Sequence, residues 1–219
     1  MIKAFIFDMD GVIIDSEPLH FELNRRVMRD FGLELPDETF HPYVGITNEQ
    51  MWAELIDRYR LNTTVAELQE KESLLKPEVF RDLQPIKGIR ELLANLKRDG
   101  IAIGLASSSV REFIEMVLEK LEIRGYFQAI VSGEEVERSK PEPEIFLRAA
   151  KLLNVKPADC VVLEDAMHGV IAAKRAGMKC IAFQNPNSGR QDLSRADKIV
   201  HTLENLDYRL FGPCYPKRG

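Results

Sequence analysis

The chain contains 219 residues, of which 45% are hydrophobic and 30% charged, with a formal net charge of −5. This length can bury a substantial core, as one large domain or as one domain with an insertion, and the mixed charges argue against wholesale disorder. An acidic chain without clustered Lys and Arg is poorly suited to nucleic acid. No apolar run reaches the roughly 18 residues of a membrane span, and the first residues lack a secretory signal pattern. We therefore expect a cytosolic protein, a monomer, that binds neither nucleic acid nor membrane.

Short apolar runs alternate with amphipathic helical patterns along most of the chain. The first run, at residues 2–7, is rich in strand formers and stops at Asp8. Similar runs follow at residues 101–106, 129–131, 160–163 and 179–183, and helical patterns lie around residues 89–96, 113–121 and 145–153. Continuous apolar runs are typical of strands covered on both faces, and the alternation implies right-handed βαβ crossovers. The sequence thus predicts an α/β fold, a Rossmann-like doubly wound parallel sheet.

The alternation is interrupted between residues 16 and 82. This interval is helical by pattern at residues 19–31, 48–59 and 65–80, with turn signals between. An all-helical stretch placed directly after the first strand indicates an inserted domain on two linkers, near residues 15–18 and 82–87. We predict a core of residues 1–15 and 83–219 and an inserted all-helical domain of residues 16–82.

Polar side chains follow several of the predicted strands, and ligands of parallel α/β sheets collect beyond the carboxyl ends of the strands. A single carboxylate in such a place is often a helix cap, but four at one edge would repel one another without a cation. Carboxylate oxygens are ligands of hard divalent metals, and we therefore predict a Mg²⁺ site. Serines before a helix can cap that helix or help to bind an anion. The residues are Asp8, Asp10, Ser107, Ser108, Ser109, Glu164 and Asp165, with Lys140 before the helix near Glu142.

Four segments carry a resemblance to a known family. In chain order, Asp8-Met-Asp10-Gly11-Val12, Ser107, Lys140-Pro141 and Glu164-Asp165 resemble the four motifs of the haloacid dehalogenase (HAD) superfamily. The resemblance covers nearly the whole chain, and the helical insertion is similar to the α-helical cap of the β-phosphoglucomutase-like branch. Asp-x-Asp alone is a weak signal, whereas the four motifs in this order are specific.

The resemblance implies a role in phosphoryl transfer for each motif residue. Asp8 would be the nucleophile that forms an aspartyl-phosphate, and Asp10 would act as general acid and then as general base. The two side chains would face the same way, because they are two residues apart in extended chain. Ser107 and the Ser108 N–H would hold the phosphoryl oxygens, and Lys140 would bridge Asp8 and the phosphate.

The resemblance also implies a magnesium site. The ion would be held by Asp8, the backbone carbonyl of Asp10 and Asp165, with Glu164 nearby or ligating through water. A cation is needed because a carboxylate and a phosphate dianion about 4 Å apart repel by roughly 8 kcal/mol at an effective dielectric constant near 20.

The fold alone does not distinguish the reactions that this superfamily supports. Asp10 favours phosphate esters over halides, because an alkoxide leaving group needs a proton. In β-phosphoglucomutase the first cap loop carries a lysine before a glycine and an arginine three residues after it, and the matching positions here are Val44 and Asn48. Because both lack a charge, we predict a Mg²⁺-dependent phosphatase that acts on small phosphorylated metabolites such as sugar phosphates.

Two alternatives stay open. A β-phosphoglucomutase-like mutase is supported by His20, which matches a hinge-side histidine of that enzyme. A non-catalytic binding protein is less expected, because no motif residue is lost. We expect substrate choice to depend on Glu17, His20 and Asn48, together with the loop Val44–Gln50.

Overall fold

The structure is a computed structural model that describes residues 2–43 and 48–211. This part of the chain forms two compact units. The core unit takes in the described residues up to Asp15 and from Leu83 onward, and the helical unit consists of those within Ser16–Asp82. Among the helices of these ranges, none combines the length and apolar character that crossing a membrane requires.

The core unit contains a parallel sheet, for which the described residues supply six strands in the order β3-β2-β1-β4-β5-β6. The first five are largely buried, as expected for strands covered on both faces. This order confirms the predicted doubly wound α/β fold. In such folds ligands bind at the carboxyl ends of the strands where the strand order reverses, which is here between β1 and β4. The strands are β1 (Ala4–Phe7), β2 (Ala102–Ser107), β3 (Ala129–Ser132), β4 (Cys160–Glu164), β5 (Lys179–Phe183) and β6 (Lys198–Val200).

Helices that cover this sheet form where apolar residues recur three and four positions apart. The first of them buries Ile89, Leu92, Leu93 and Leu96, and Gly100 follows it with a φ of +70°. Packing of such an apolar stripe on the sheet supplies most of the stability of a surface helix. The core helices are α4 (Ile89–Arg98), α5 (Arg111–Lys120), α6 (Glu144–Leu152) and α7 (Met167–Arg175).

The helical unit has a hydrophobic core of its own, centred on the fully buried Trp52. Its third helix starts with a capping box, in which Thr64 Oγ1 accepts from the Glu67 N–H and Glu67 Oε2 accepts from the Thr64 N–H. These bonds satisfy backbone donors that a helix start leaves unpaired. The helices of this unit are α1 (Glu17–Arg29), α2 (Asn48–Tyr59) and α3 (Val65–Val79).

Candidate active site

The turn after β1 places two aspartates at the carboxyl end of the sheet. The Asp8 N–H continues the pairing of β1 with β4 by donating to the Leu163 carbonyl at 2.9 Å. Gly11 then turns the chain with a φ of +74°. A Cβ atom on Gly11 would lie 2.0 Å from Asp165 Oδ2, so glycine is what lets the Asp165 carboxylate approach this turn.

Lys140 is buried between two carboxylates. Its Nζ contacts Asp8 Oδ1 and donates to Glu164 Oε1 at 2.7 Å, and the side chains of Lys140 and Asp8 are each 9% exposed. Glu164 Oε2 accepts the N–H groups of Asp165 and Ala166 at 2.8 and 2.9 Å, directly before α7. Both oxygens of Glu164 are therefore engaged, one with Lys140 and the other with backbone donors that precede the helix.

Asp8, Glu164 and Asp165 form a buried acidic cluster that could hold a metal ion, because they offer oxygen atoms within 4.8 Å of one another. Burial raises the pKa of Asp8 to about 8 despite the opposing charge of Lys140, and the charges of Glu164 and Asp10 add to the rise. Burial and the charges of Glu164 and Asp8 likewise raise the pKa of Asp165 above its ordinary value.

Lys140 does not neutralise this cluster completely. Burial lowers its pKa, but the attraction of Asp8 and Glu164 outweighs that effect and the pKa rises overall. One ammonium therefore faces three buried carboxyl groups, and a divalent cation that takes hard oxygen ligands would favour their ionised form.

Two serines, one at the end of β2 and one just after it, hydrogen-bond the side chain of Asp10. Ser109 Oγ donates to Asp10 Oδ2 at 2.8 Å, and Ser107 Oγ lies 3.4 Å from the same oxygen. Ser107 Oγ also accepts the Ser109 N–H at 3.1 Å. Asp10 Oδ1 is buried and has no hydrogen-bond partner among the described residues. The contact of Ser109 with Asp10 was not predicted, although the run of three serines was the available signal.

A second unpredicted contact comes from the segment that follows β5. Ser188 Oγ donates to Asp165 Oδ2, and Asn185 Nδ2 donates to the Gly11 carbonyl at 3.0 Å. The segment therefore contacts both an acidic-cluster residue and the turn after β1.

The predicted specificity residues belong to the helical unit. Glu17 begins α1, and the His20 ring lies 5.4 Å from the Phe80 ring in an edge-to-face arrangement. Asn48 begins α2, and its Nδ2 donates to Glu72 Oε1 at 2.7 Å. Val44, the other position used to separate mutase from phosphatase, lies outside the described residues.

Comparisons with known proteins identify the family of this chain. The sequence profile of the haloacid dehalogenase-like hydrolase family matches residues 5–183. A phosphorylated carbohydrates phosphatase from Thermotoga maritima is 36% identical over 182 residues, which cover 82% of this chain and 84% of the relative. A β-phosphoglucomutase from Bacillus subtilis is 34% identical over 217 residues, covering 95% and 93%. The crystal structure of a β-phosphoglucomutase from Clostridium difficile superposes with a TM-score of 0.79 at 28% identity, covering 95% of each chain.

The chain therefore belongs to the haloacid dehalogenase-like hydrolases, as its motifs predict. Within that family it falls in the branch that contains phosphatases and β-phosphoglucomutases. It is an enzyme of this branch, and the residues gathered at the carboxyl ends of β1, β2 and β4 form its candidate active site.

Proposed function

We propose that this protein is a Mg²⁺-dependent phosphatase that hydrolyses small phosphomonoesters, including sugar phosphates, through an aspartyl-phosphate on Asp8. The observation that carries the proposal is the ion pair of Asp8 with Lys140 in the acidic cluster that includes Asp165. Asp10, two residues after Asp8, accepts a hydrogen bond from Ser109. The similarity to a phosphorylated carbohydrates phosphatase supports the substrate class.

Charge neutralisation is the main task of such a site. A carboxylate and a phosphate dianion about 4 Å apart repel by roughly 8 kcal/mol at an effective dielectric constant near 20. The buried ammonium of Lys140 offsets part of this repulsion from one side of Asp8. Magnesium, when bound, would supply further positive charge against the phosphoryl oxygens.

Asp8 and Asp165, with the backbone carbonyl of Asp10, are the proposed magnesium ligands. Both oxygens of Glu164 already accept bonds from Lys140 and from backbone N–H groups. We therefore assign Glu164 to holding Lys140 in place, and consider direct ligation by Glu164 the weaker interpretation. Asp165 has one oxygen bonded to Ser188, which leaves its other oxygen available.

The chain's own residues account for the bond changes in both halves of the reaction. An oxygen of Asp8 attacks phosphorus, the bond from phosphorus to the ester oxygen breaks, and Asp10 gives a proton to the leaving alkoxide. Asp10 then takes a proton from water, which attacks phosphorus and releases the Asp8 carboxylate and phosphate. Asp10 Oδ1 suits this exchange, because it is buried and unpaired within the described chain. Ser107 and the Ser108 N–H would hold the phosphoryl oxygens.

We favour the phosphatase over the mutase because Asn48 occupies the position at which β-phosphoglucomutase carries an arginine. The Asn48 side chain carries no charge and is hydrogen-bonded to the buried Glu72. We propose that Glu17, His20 and Asn48 influence substrate choice. The similarity to a β-phosphoglucomutase of 34% identity keeps the mutase as the second candidate.

The decisive experiment follows phosphate release from a panel of phosphorylated sugars and nucleotides, with ³¹P NMR to separate release from rearrangement. We expect steady phosphate release from sugar phosphates that stops with EDTA and in Asp8→Asn. Asp57→Asn, at an exposed aspartate of α2, is the matched control and should keep full activity.

Two other outcomes would contradict the proposal. Isomerisation of β-glucose 1-phosphate primed by a bisphosphate, with little phosphate release, would establish the mutase instead. A protein that releases no phosphate and fails to bind beryllium fluoride or aluminium fluoride with Mg²⁺ would be a non-catalytic binding protein.

A further inference from the structure

The segment of residues 185–191, which we call the post-β5 loop, contacts the proposed metal site through a buried hydroxyl. Ser188 is 3% exposed and Asp165 is 5% exposed, and Ser188 Oγ donates to Asp165 Oδ2. A hydrogen bond on one carboxylate oxygen fixes the rotation of the group and so determines where the other oxygen points.

The position of Ser188 is itself fixed by the loop around it. Gln191 Nε2 donates to the Ser188 carbonyl at 2.9 Å, and Gln191 Oε1 accepts the Met167 N–H at 3.0 Å at the start of α7. Asn185, which is 5% exposed, donates from Nδ2 to the Gly11 carbonyl at 3.0 Å. The loop is thus bonded both to the turn after β1 and to the helix after Asp165.

The packing against Gly11 leaves little freedom for these groups. A Cβ atom at Gly11 would lie 2.0 Å from Asp165 Oδ2 and 2.9 Å from Ser188 Oγ. The hydroxyl and the carboxylate therefore meet directly against the backbone of the turn that carries Asp8 and Asp10. Displacement of Ser188 would remove the donor and open space into which Asp165 can rotate.

We propose that Ser188 is a positioning residue, which orients the Asp165 carboxylate for a divalent cation and so determines magnesium affinity. This inference rests on the magnesium site of the proposed function. Residues that hydrogen-bond a metal ligand typically change metal affinity by about 10- to 100-fold when mutated. The effect of Ser188 should therefore appear in metal binding before it appears in the chemical step.

The test is isothermal titration of metal-free full-length protein with Mg²⁺ alone, for the unaltered chain, Ser188→Ala and Ser194→Ala. Ser194 also follows β5 in the chain but is exposed, so it serves as the matched control. We expect the Kd for Mg²⁺ to rise about 10-fold or more in Ser188→Ala and to stay unchanged in Ser194→Ala. The magnesium concentration for half-maximal activity should rise by the same factor, while kcat at saturating Mg²⁺ is largely kept.

Melting curves in EDTA separate a folding defect from a loss of affinity. Similar melting temperatures for the three proteins, together with weaker Mg²⁺ binding by Ser188→Ala alone, would support the proposal. Equal Kd values for Ser188→Ala and the unaltered chain would overturn it and leave the proposed function intact. Absence of Mg²⁺ binding by the unaltered chain would overturn the magnesium site itself, and this inference with it.

Discussion

At the scale of single residues, Ser109 and Asp10 give the sharpest prediction about the chemical step. Ser109 Oγ donates to Asp10 Oδ2 at 2.8 Å, and a typical hydrogen bond contributes about 0.5–1.5 kcal/mol. We expect Ser109→Ala to lower kcat about 10-fold with little change in KM, because Asp10, the proposed general acid, loses its orientation. Steady-state kinetics on the best substrate of the panel would measure this.

Ser108→Ala is the matched control for Ser109→Ala. Ser108 is exposed, and alanine keeps the backbone N–H that is proposed to hold a phosphoryl oxygen. The control should therefore retain most of its kcat. A rise in KM at constant kcat in Ser109→Ala would contradict the prediction, since it would mean that Ser109 binds substrate.

The residues of the site were predictable from sequence to different degrees. Asp8, Lys140 and Asp165 stand at strand ends or in a recognisable motif, and parallel strands bring such positions to one edge. The sequence places Ser109 only within a run of three serines at a strand end and gives no signal for Ser188, because each contacts its carboxylate through an irregular segment. Side-chain contacts of that kind depend on loop geometry, which hydrophobic periodicity does not encode.

At the scale of elements, the start of α7 depends on a glycine inside the helix. A Cβ atom on Gly169 would lie 1.7 Å from Glu164 Oε1, the oxygen that accepts from Lys140. We expect Gly169→Ala to cost about 1–3 kcal/mol of stability, as overpacked sites do, and to lower activity by displacing Lys140. Urea unfolding and phosphate release would measure the two effects.

Gly125→Ala provides the comparison for Gly169→Ala. A Cβ atom on Gly125 would meet no described residue within 4 Å, so this variant should unfold at nearly the same urea concentration as the unaltered chain. Equal stability and activity of the two variants would mean that Glu164 moves aside at no cost.

Elements with a continuous apolar run were predictable, and the remaining strand was not. The first five strands coincide with the predicted runs within a few residues, since burial on both faces requires apolar side chains throughout. β6 was missed because it has three residues and its Lys198 and Ile199 are exposed. A short strand at the sheet edge is defined by its hydrogen bonds to β5, which leave no pattern in composition.

At the scale of the whole molecule, the two core segments that flank the insertion are hydrogen-bonded to each other. Ile14 forms a bridge with Pro85, and the Ile86 N–H donates to the Ile13 carbonyl at 2.8 Å. The break in strand and helix alternation predicted where an insertion would lie. The bonds that join its two ends could not be predicted, because they link residues from opposite sides of the insertion.

This pairing predicts that the core unit folds without the helical unit. We expect a chain in which a short Gly-Ser linker replaces residues 16–82 to be folded and to bind Mg²⁺. Its kcat/KM on sugar phosphates should fall about 100-fold, with little preference among substrates, because the proposed specificity residues Glu17, His20 and Asn48 are removed with the insertion. Circular dichroism, titration with Mg²⁺ and the substrate panel would measure these properties.

The Asp8→Asn version of the shortened chain tests for contaminating phosphatase and should be inactive. A shortened chain that does not fold would contradict the prediction. Retention of the full substrate preference would assign specificity to the sheet edge and not to the inserted helices.

The bridge between Ile14 and Pro85 also bears on how such enzymes diversify. Because the two ends of the insertion are already joined, we expect that other helices inserted between them would leave the strands of the core in place. Ancestral chains could acquire a new metabolite by recombination at these two neighbouring points, while the chemistry of phosphate transfer was inherited unchanged.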